Sequence, residues 1–200
     1  MPKLWYDSGM IVKLIDSTVD PISNICMAAG ACRDRRKTDY KEQMELLRAM
    51  VAGDHSSVEF AWCMWEFDGI SRACADQLRT YRLASHNMLS QRHVDLLKRD
   101  FIHPHKGLEL CEGVLEMERK QKDFYALLVN NGVPKEDARY YMGIGISTHM
   151  FTACNFRESR HILKQRLVPG AQWEIRKVCK EMYEICLDKW PWLVEDIARG

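Results

Sequence analysis

Apolar positions change their period several times along the chain, and each change marks an element. Gly9 to Ile15, GMIVKLI, is a short apolar run closed by Asp16-Ser17-Thr18 and Pro21, which predicts a first β-strand. Small and apolar residues from Ile22 to Cys32 predict a buried helix, and the charged stretch DRRKTDYKEQ an exposed connection. Met44, Leu47 and Met50 return at helical spacing and stop at Gly53, so a second helix is expected there. Glu59 to Phe67, EFAWCMWEF, is aromatic-rich, of strand length and apolar on both alternating sets of positions. That pattern predicts a central strand covered on both faces. Gly69 closes it, and Ser71 is placed to cap a helix through Ala73, Cys74, Gln77 and Leu78.

Beyond Val94 the loop KRDFIHPHKG leads into a long helix. Leu110, Val114, Met117, Gln121, Phe124 and Leu128 alternate steps of four and three, which is one helical face. Asn131-Gly132 ends that helix, and Pro134 opens the next at a position where proline is tolerated. Two further helices are expected, roughly Ser147 to Arg166 and Ala171 to Leu187, divided by Pro169-Gly170. No repeat, low-complexity segment or linker interrupts the pattern. The outline is α+β, a few strands followed by a helical second half, read as a single domain over residues 1–200.

Composition narrows the function classes. Hydrophobic content of 46% and charged content of 28% are those of an ordinary soluble domain. Lys+Arg of 29 against Asp+Glu of 28 leaves +1, without the basic excess of a duplex-binding protein. The eight cysteines form no C-x-x-C pair and no zinc spacing. The opening MPKLWYDSGM has no apolar signal core, and no run reaches the ~18–20 residues of a membrane span. Reduced thiols in a cytoplasmic core are therefore expected. His103 and His105 sit in a proline-containing loop, and no H-E-x-x-H, G-x-S-x-G or G-x-G-x-x-G pattern occurs. Zinc hydrolysis, a serine nucleophile and Rossmann dinucleotide binding are all unsupported.

Chemistry is concentrated locally instead. In Gln77 to Val94, QLRTYRLASHNMLSQRHV, Arg79, Arg82 and Arg92 stand among Ser85, Asn87 and Ser90. Arginine forks and serine hydroxyls suit a phosphate, although a solvated helix end followed by a polar loop has the same composition. A second group, Asn155, Arg157, Ser159, His161 and Arg166, alternates with Phe156, Ile162 and Leu163. Spacings of four and three turn Asn155, Ser159 and Ile162 inward, either as satisfied core polar groups or as ligand contacts. Arg139, Arg160 and Arg176 read individually as surface charges.

Taken together, these segments resemble the flavin-dependent thymidylate synthases. That family's signature is Arg-His-Arg, seven residues, Ser, one residue and Arg. Here Thr80-Tyr81-Arg82, LASHNML and Ser90-Gln91-Arg92 take those places. GDHSSVEFA is similar to the family's His-x-Ser/Thr-x-x-Glu flavin segment, VPKEDAR to its Val-Pro-x-Glu-x-Ala-Arg helix start, and NFRESRHILKQR with AQWEIR to its Asn-x-Arg region. The similarity runs from about residue 10 to 190.

The resemblance implies a mixed or antiparallel sheet packed with helices and a homotetramer with shared sites. It implies FAD as cofactor, NADPH and methylenetetrahydrofolate as co-substrates, and methylation of dUMP at C5, with neither nucleic acid nor membrane as partner. Gln77, Met88, Ser90, Arg92, Arg139 and Arg166 fall at nucleotide positions, with Arg166 and Ser90 the catalytic candidates. His55, Ser56, Ser57, Glu59, Arg79, Tyr81, Arg82, Leu83, Asn87, Asn155, Arg157 and His161 fall on or beside flavin positions. An arginine such as Arg166 beside the uracil would stabilise negative charge developing on the ring, as a permanent cation.

The match breaks at Thr80 and Tyr81, where the signature has Arg and His, and at Met88, where an acidic residue is common. Met142-Gly143 replaces the Leu-Pro usual after Ala-Arg. On a helix, Arg79 would be rotated by ~100° from the missing arginine. Three readings follow. One is intact dUMP methylation in a drifted copy, such as a viral one acting in a host cytoplasm. Another is a different pyrimidine nucleotide (UMP or dCMP) or hydroxymethyl transfer. The last is a non-catalytic flavin- or nucleotide-binding homologue, against which stands the retention of Ser90, Arg92, Arg139, Asn155 and Arg166.

Overall fold

A computed structural model describes residues 9–31, 39–104 and 113–197. Strand β1 is Ile11–Ser17, followed by helices α1, Pro21–Ala31, and α2, Tyr40–Ala52. A 3-10 turn, Ser56–Phe60, precedes β2, Trp62–Ser71, and α3, Arg72–Leu78. β3 is Ala84–Met88, and α4, Val114–Asn130, is followed by the short α5, Lys135–Ala138. β4, Ser147–Asn155, leads into α6, Phe156–Arg166, then α7, Trp173–Lys189, and α8, Pro191–Val194. The strands form a four-stranded antiparallel sheet in the order β1-β2-β4-β3, so the fold is α+β as expected.

Several local signals act as read. Gly53 ends α2, and the Cys74 N–H donates to the Ser71 hydroxyl at 3.0 Å, starting α3. Asn131 and Gly132, at φ 82°, end α4, and Pro134 opens α5. The aromatic strand β2 is interior, between β1 and β4. Its cover is uneven: Cys63, Trp65 and Phe67 are buried, Met64 and Glu66 half-buried. Residues Glu59 and Phe60 belong to the preceding 3-10 turn rather than to the strand.

Gly69 does not end β2. It lies inside the strand at φ +68°, and an added Cβ would stand 2.9 Å from the Gly9 carbonyl oxygen. Glycine is thus required twice over, by conformation and by close approach. Gly69→Ala is expected to lower stability by roughly 2 kcal/mol, from a left-handed residue plus a backbone clash. An unshifted urea midpoint would show that the backbone relaxes freely there.

The larger correction concerns Ser147–Asn155, which is the strand β4 and not the start of a helix. Thr148, Met150, Thr152 and Cys154 are buried while His149, Phe151, Ala153 and Asn155 are half-buried, a period of two. β-Branched and aromatic residues fit that pleated, half-covered surface. The helix begins only where Asn155 caps α6. Arg79 and Thr80 lie in a turn after α3, so the helical rotation separating them does not apply.

The described chain falls into two compact units. One comprises residues up to Ile11, Phe67–Leu78 and Asn87–Met150. In it Leu96, Tyr125 and Ala138 are buried, packed by Leu128, Val129, Val133 and Met142. The inward face of α4 differs from the predicted one: Tyr125 is buried, whereas Met117 and Phe124 are exposed. Gln121, on the predicted face, accepts the Gly143 N–H at 2.7 Å, and Phe124 meets Tyr141 edge-on at 4.9 Å. Leu110 and His105 lie outside the described residues.

The other unit comprises Val12–Glu66, Arg79–His86 and the chain from Phe151 onward. Here α6 packs on α7 and α7 on α8, around Phe156, Ile162, Leu163, Ile175 and Val178. Arg160 is not a surface charge. Its side chain is 2% exposed, ion-paired to Asp196 and donating to the Leu193 carbonyl, so it ties α6 to the chain beyond α8. Burial of such a long side chain is sustained because its charged tip meets a carboxylate at the end of its path.

Candidate active site

Trp62 at the start of β2, Arg82 to Ser85 entering β3, and Ala153 to Asn155 ending β4 line an open cleft of about 470 Å³. Trp62 is 44% exposed and Leu83 65%, although both are large apolar side chains. Arg82 is exposed beside them. The cleft therefore offers apolar surface, a permanent cation and strand-edge backbone, a donor set that fits a flat ring carrying an anionic tail. The Asn155 side-chain carbonyl accepts the Glu158 N–H at 2.8 Å as the N-cap of α6. Its amide N–H2 group remains as a donor. Trp62 and Ala153 were not legible as site residues, because only strand pairing brings them to Arg82.

Arg157, one residue into α6, is held by two carboxylates. Its Nε and Nη2 donate to the two oxygens of Asp54 at 3.2 Å each, and Nη1 donates to Glu59 at 2.6 Å. These bonds push the Asp54 carboxyl below its ordinary range and raise the Arg157 guanidinium further. Asp54 sits at φ 52°, a conformation rare for a residue with a side chain. Lys164 and Arg160 also act on Asp54, so the two carboxylates here are balanced by cations. His55 and Ser56 stand exposed beside it, and Ser57 is buried. Asp54 is the member that sequence reasoning missed, and its contact with Arg157 spans 103 residues.

Within the same unit, Tyr81 is 5% exposed, and its hydroxyl lies 2.7 Å from Arg166 Nε and 3.1 Å from Gln165 Oε1. Arg166 also lies over the Tyr81 ring, 5.4 Å from its centroid, and His161 approaches that ring edge-on at 5.8 Å. Burial raises the Tyr81 phenol above its ordinary range, against the opposing pull of Arg166.

In the other unit, Arg92 and Arg139 both engage Glu136, and Ser90 contacts the main chain of Arg92. Arg92 is ion-paired to the Glu136 carboxylate, the Arg92 N–H donates to the Ser90 hydroxyl at 3.4 Å, and Arg139 Nε donates to the Glu136 carbonyl at 2.9 Å. Two guanidinium groups on one glutamate can receive an anion if the Glu136 carboxylate yields, with the Ser90 hydroxyl next to the Arg92 main chain. Asn87 is exposed at the end of β3, Met88 half-buried beside it, and Gln77 half-buried on α3.

The thiols form structure. Ser159 is fully buried, and its hydroxyl meets Cys63 and Cys154 at 3.1 and 3.0 Å, while Trp65 Nε1–H donates to Cys63 at 3.1 Å. The inward serine is thus a satisfied core group. Burial pushes the Cys179 thiol up to about 12. Cys32 and Cys111 lie outside the described residues. No helix among the described residues is long and apolar enough to cross a membrane.

A family model described as thymidylate synthase complementing protein matches residues 13–192. The flavin-dependent thymidylate synthase of Thermococcus kodakarensis is 32% identical over 194 residues, covering 89% of this chain and 79% of the relative. That of Saccharolobus solfataricus is also 32% identical, over 86% of this chain and 71% of its own length. The Geobacter sulfurreducens protein of the same name is 31% identical over 96% and 88%. A match across nearly all of the described fold, with relatives that share one name, decides the question: the chain belongs to the flavin-dependent thymidylate synthase family, an enzyme family.

Proposed function

We propose that this enzyme methylates dUMP at C5, with methylenetetrahydrofolate as the one-carbon donor and NADPH as reductant through bound FAD. The observation that carries the reading is the match over residues 13–192 to a family whose relatives are named flavin-dependent thymidylate synthase, in a chain that retains Ser90, Arg92, Arg139, Asn155 and Arg166.

Residue roles follow from the chemistry of each group. The cleft at Trp62, Arg82, Leu83 and Asn155 fits a flavin, whose ring would lie against apolar side chains and whose diphosphate would meet arginine. Bound flavin supplies the hydride chemistry. The nucleotide phosphate falls to Ser90, Arg92 and Arg139, with Glu136 displaced from Arg92 as the phosphate arrives. Arg166 stabilises negative charge on the pyrimidine during attack by C5, a role that requires a cation without a proton to lose. Buried thiols take no part.

Tritium release from C5-labelled dUMP, UMP and dCMP, with FAD, NADPH and methylenetetrahydrofolate, tests the reading. Release from dUMP alone is expected. A specific observation keeps a second substrate in play: Met88, half-buried at the end of β3, puts a thioether where the family commonly has a carboxylate. Losing a polar group beside the ligand changes which analogue is penalised. Release only from UMP or dCMP selects that reading, and bound flavin without any release selects the non-catalytic one. A homotetramer is the proposed assembly, on the family resemblance, and Met117, Leu127, Tyr140 and Ile144, each more than half exposed, are apolar side chains that an interface would cover. Light scattering giving a monomer mass would reject it.

A further inference from the structure

The signature departs from the family at Tyr81, and the structure gives that departure a use. A tyrosine hydroxyl can accept one hydrogen bond while donating another, and both capacities are engaged here. Arg166 Nε–H donates to the Tyr81 oxygen at 2.7 Å, and the Tyr81 hydroxyl donates to Gln165 Oε1 at 3.1 Å. The directions are forced, because a guanidinium has only donors and an amide oxygen only accepts.

The main chain of Tyr81 is held as well. His86 Nε2 lies 3.2 Å from the Tyr81 carbonyl, and Nδ1 lies 3.0 Å from the hydroxyl of Thr152, itself 2% exposed. A carbonyl only accepts, so Nε2 carries the proton, and in the neutral ring Nδ1 receives the Thr152 hydroxyl. Main chain, ring and hydroxyl of Tyr81 are therefore each fixed. Among the described residues, neither Nη group of Arg166 has an acceptor, so the Nε bond orients the guanidinium and leaves its outer edge for a ligand.

We propose that Tyr81 is a positioning residue for Arg166, holding the guanidinium by its Nε–H so that the Nη edge faces the reacting base. The proposal rests on the assignment of Arg166 to the pyrimidine. It separates Tyr81 from a flavin contact: with its hydroxyl committed twice and its ring buried, the side chain acts through Arg166. A neutral phenol also suits the task. Its ordinary pKa lies near 10 and burial raises it, so it stays an acceptor at every working pH, whereas an imidazole becomes a cation facing Arg166 when protonated. Besides Arg166, the charged or titratable groups that act on this ring are His161 and Glu158 from α6 and Cys179 from α7, with His86 at its carbonyl.

The test compares wild type with Tyr81→Phe, which keeps the ring and removes only the hydroxyl. Two readouts are needed, turnover and the nitrogen-15 resonance of the Arg166 Nε–H, assigned by its loss in Arg166→Lys. Wild type should show a slowly exchanging Nε–H that becomes solvent-exchanging in Tyr81→Phe. Turnover should fall roughly 10- to 100-fold, the loss typical of a misaimed group. Flavin affinity and nucleotide KM should stay within about twofold, since Tyr81 touches neither ligand on this account. Tyr81→His should restore part of the rate with a new acid limb near pH 6–7 that wild type lacks. An unchanged Nε–H signal overturns the proposal, and so does weakened flavin binding with full turnover at saturating flavin. If wild type releases no tritium yet its Nε–H depends on Tyr81, the positioning stands and the synthase reading fails. Should Tyr81→Phe not fold, Tyr81→His is the second variant: Nε–H exchange that matches wild type even below about pH 6, where the imidazole is a cation and cannot accept, would overturn the proposal.

Discussion

Arg166→Ala is expected to lower turnover by roughly 10²- to 10³-fold, the loss seen when one preorganised donor to developing charge is removed. Flavin should remain bound, because the cleft at Trp62, Arg82, Leu83 and Asn155 does not include Arg166. The fold should survive too. Arg166 is half-buried at the last turn of α6, and its side-chain hydrogen bond is to Tyr81, whose hydroxyl still has Gln165 as a partner after the truncation. Arg166→Lys distinguishes charge from geometry. Lysine keeps the cation but is a point charge without a fork, so it cannot bond Tyr81 and present a planar edge at once. Activity in the lysine variant should lie between wild type and alanine, measured as tritium release at saturating nucleotide. Full activity in the alanine variant, with flavin bound, would remove Arg166 from the mechanism.

Asp196→Ala should produce the largest loss of stability of any single charge removal described here, about 3–5 kcal/mol. The reason is the asymmetry of its partner. Asp196 is 47% exposed and would lose little by itself, but Arg160 is 2% exposed and would be left as an unpaired buried cation. Arg160→Met should cost less, because it removes the charge along with the pair and leaves Asp196 to water. Arg160 holds the Asp196 carboxyl below its ordinary range, so the pair contributes fully above the normal carboxylate pKa of about 4. The contribution is lost as pH falls through the depressed value, and the gap between wild type and Asp196→Ala should then close. Thermal midpoints at neutral pH and in acid measure both effects. Equal midpoints at neutral pH would show that the ion pair does not anchor the C-terminal segment.

Local rules predicted local structure well. Gly53, Ser71, Asn131-Gly132 and Pro134 act within one helical turn of themselves, where the backbone has few alternatives. Periodicity was less sufficient. In Ser147–Asn155 the apolar and polar residues fit a helix and a strand alike, and pairing beside β2 and β3 decided for the strand. On α4 the predicted Gln121 and Leu128 do face inward, but tertiary packing buries Tyr125 and leaves Met117 and Phe124 exposed. Gly69 reads as a terminator in one dimension. In three it is a position where two backbone segments approach to within the space of one methyl group.

The site divides along the same line. Residue types in order and at fixed spacing determined the family, because Ser90 with Arg92, the VPKEDAR start and the Asn155-Arg157 pair each form a short segment. They also determined which side chains carry charge, through composition alone. Only tertiary structure decided what each charge faces. Asp54 and Glu59 surround Arg157 from 103 and 98 residues away, Asp196 meets Arg160 from 36, and Tyr81 receives Arg166 from 85. A hydrogen bond needs its partner within about 3 Å and correctly directed, a condition that spacing along the chain cannot impose over such separations. Tyr81 therefore looks like a lost histidine in the sequence, and in the fold it is the hydroxyl that aims an arginine.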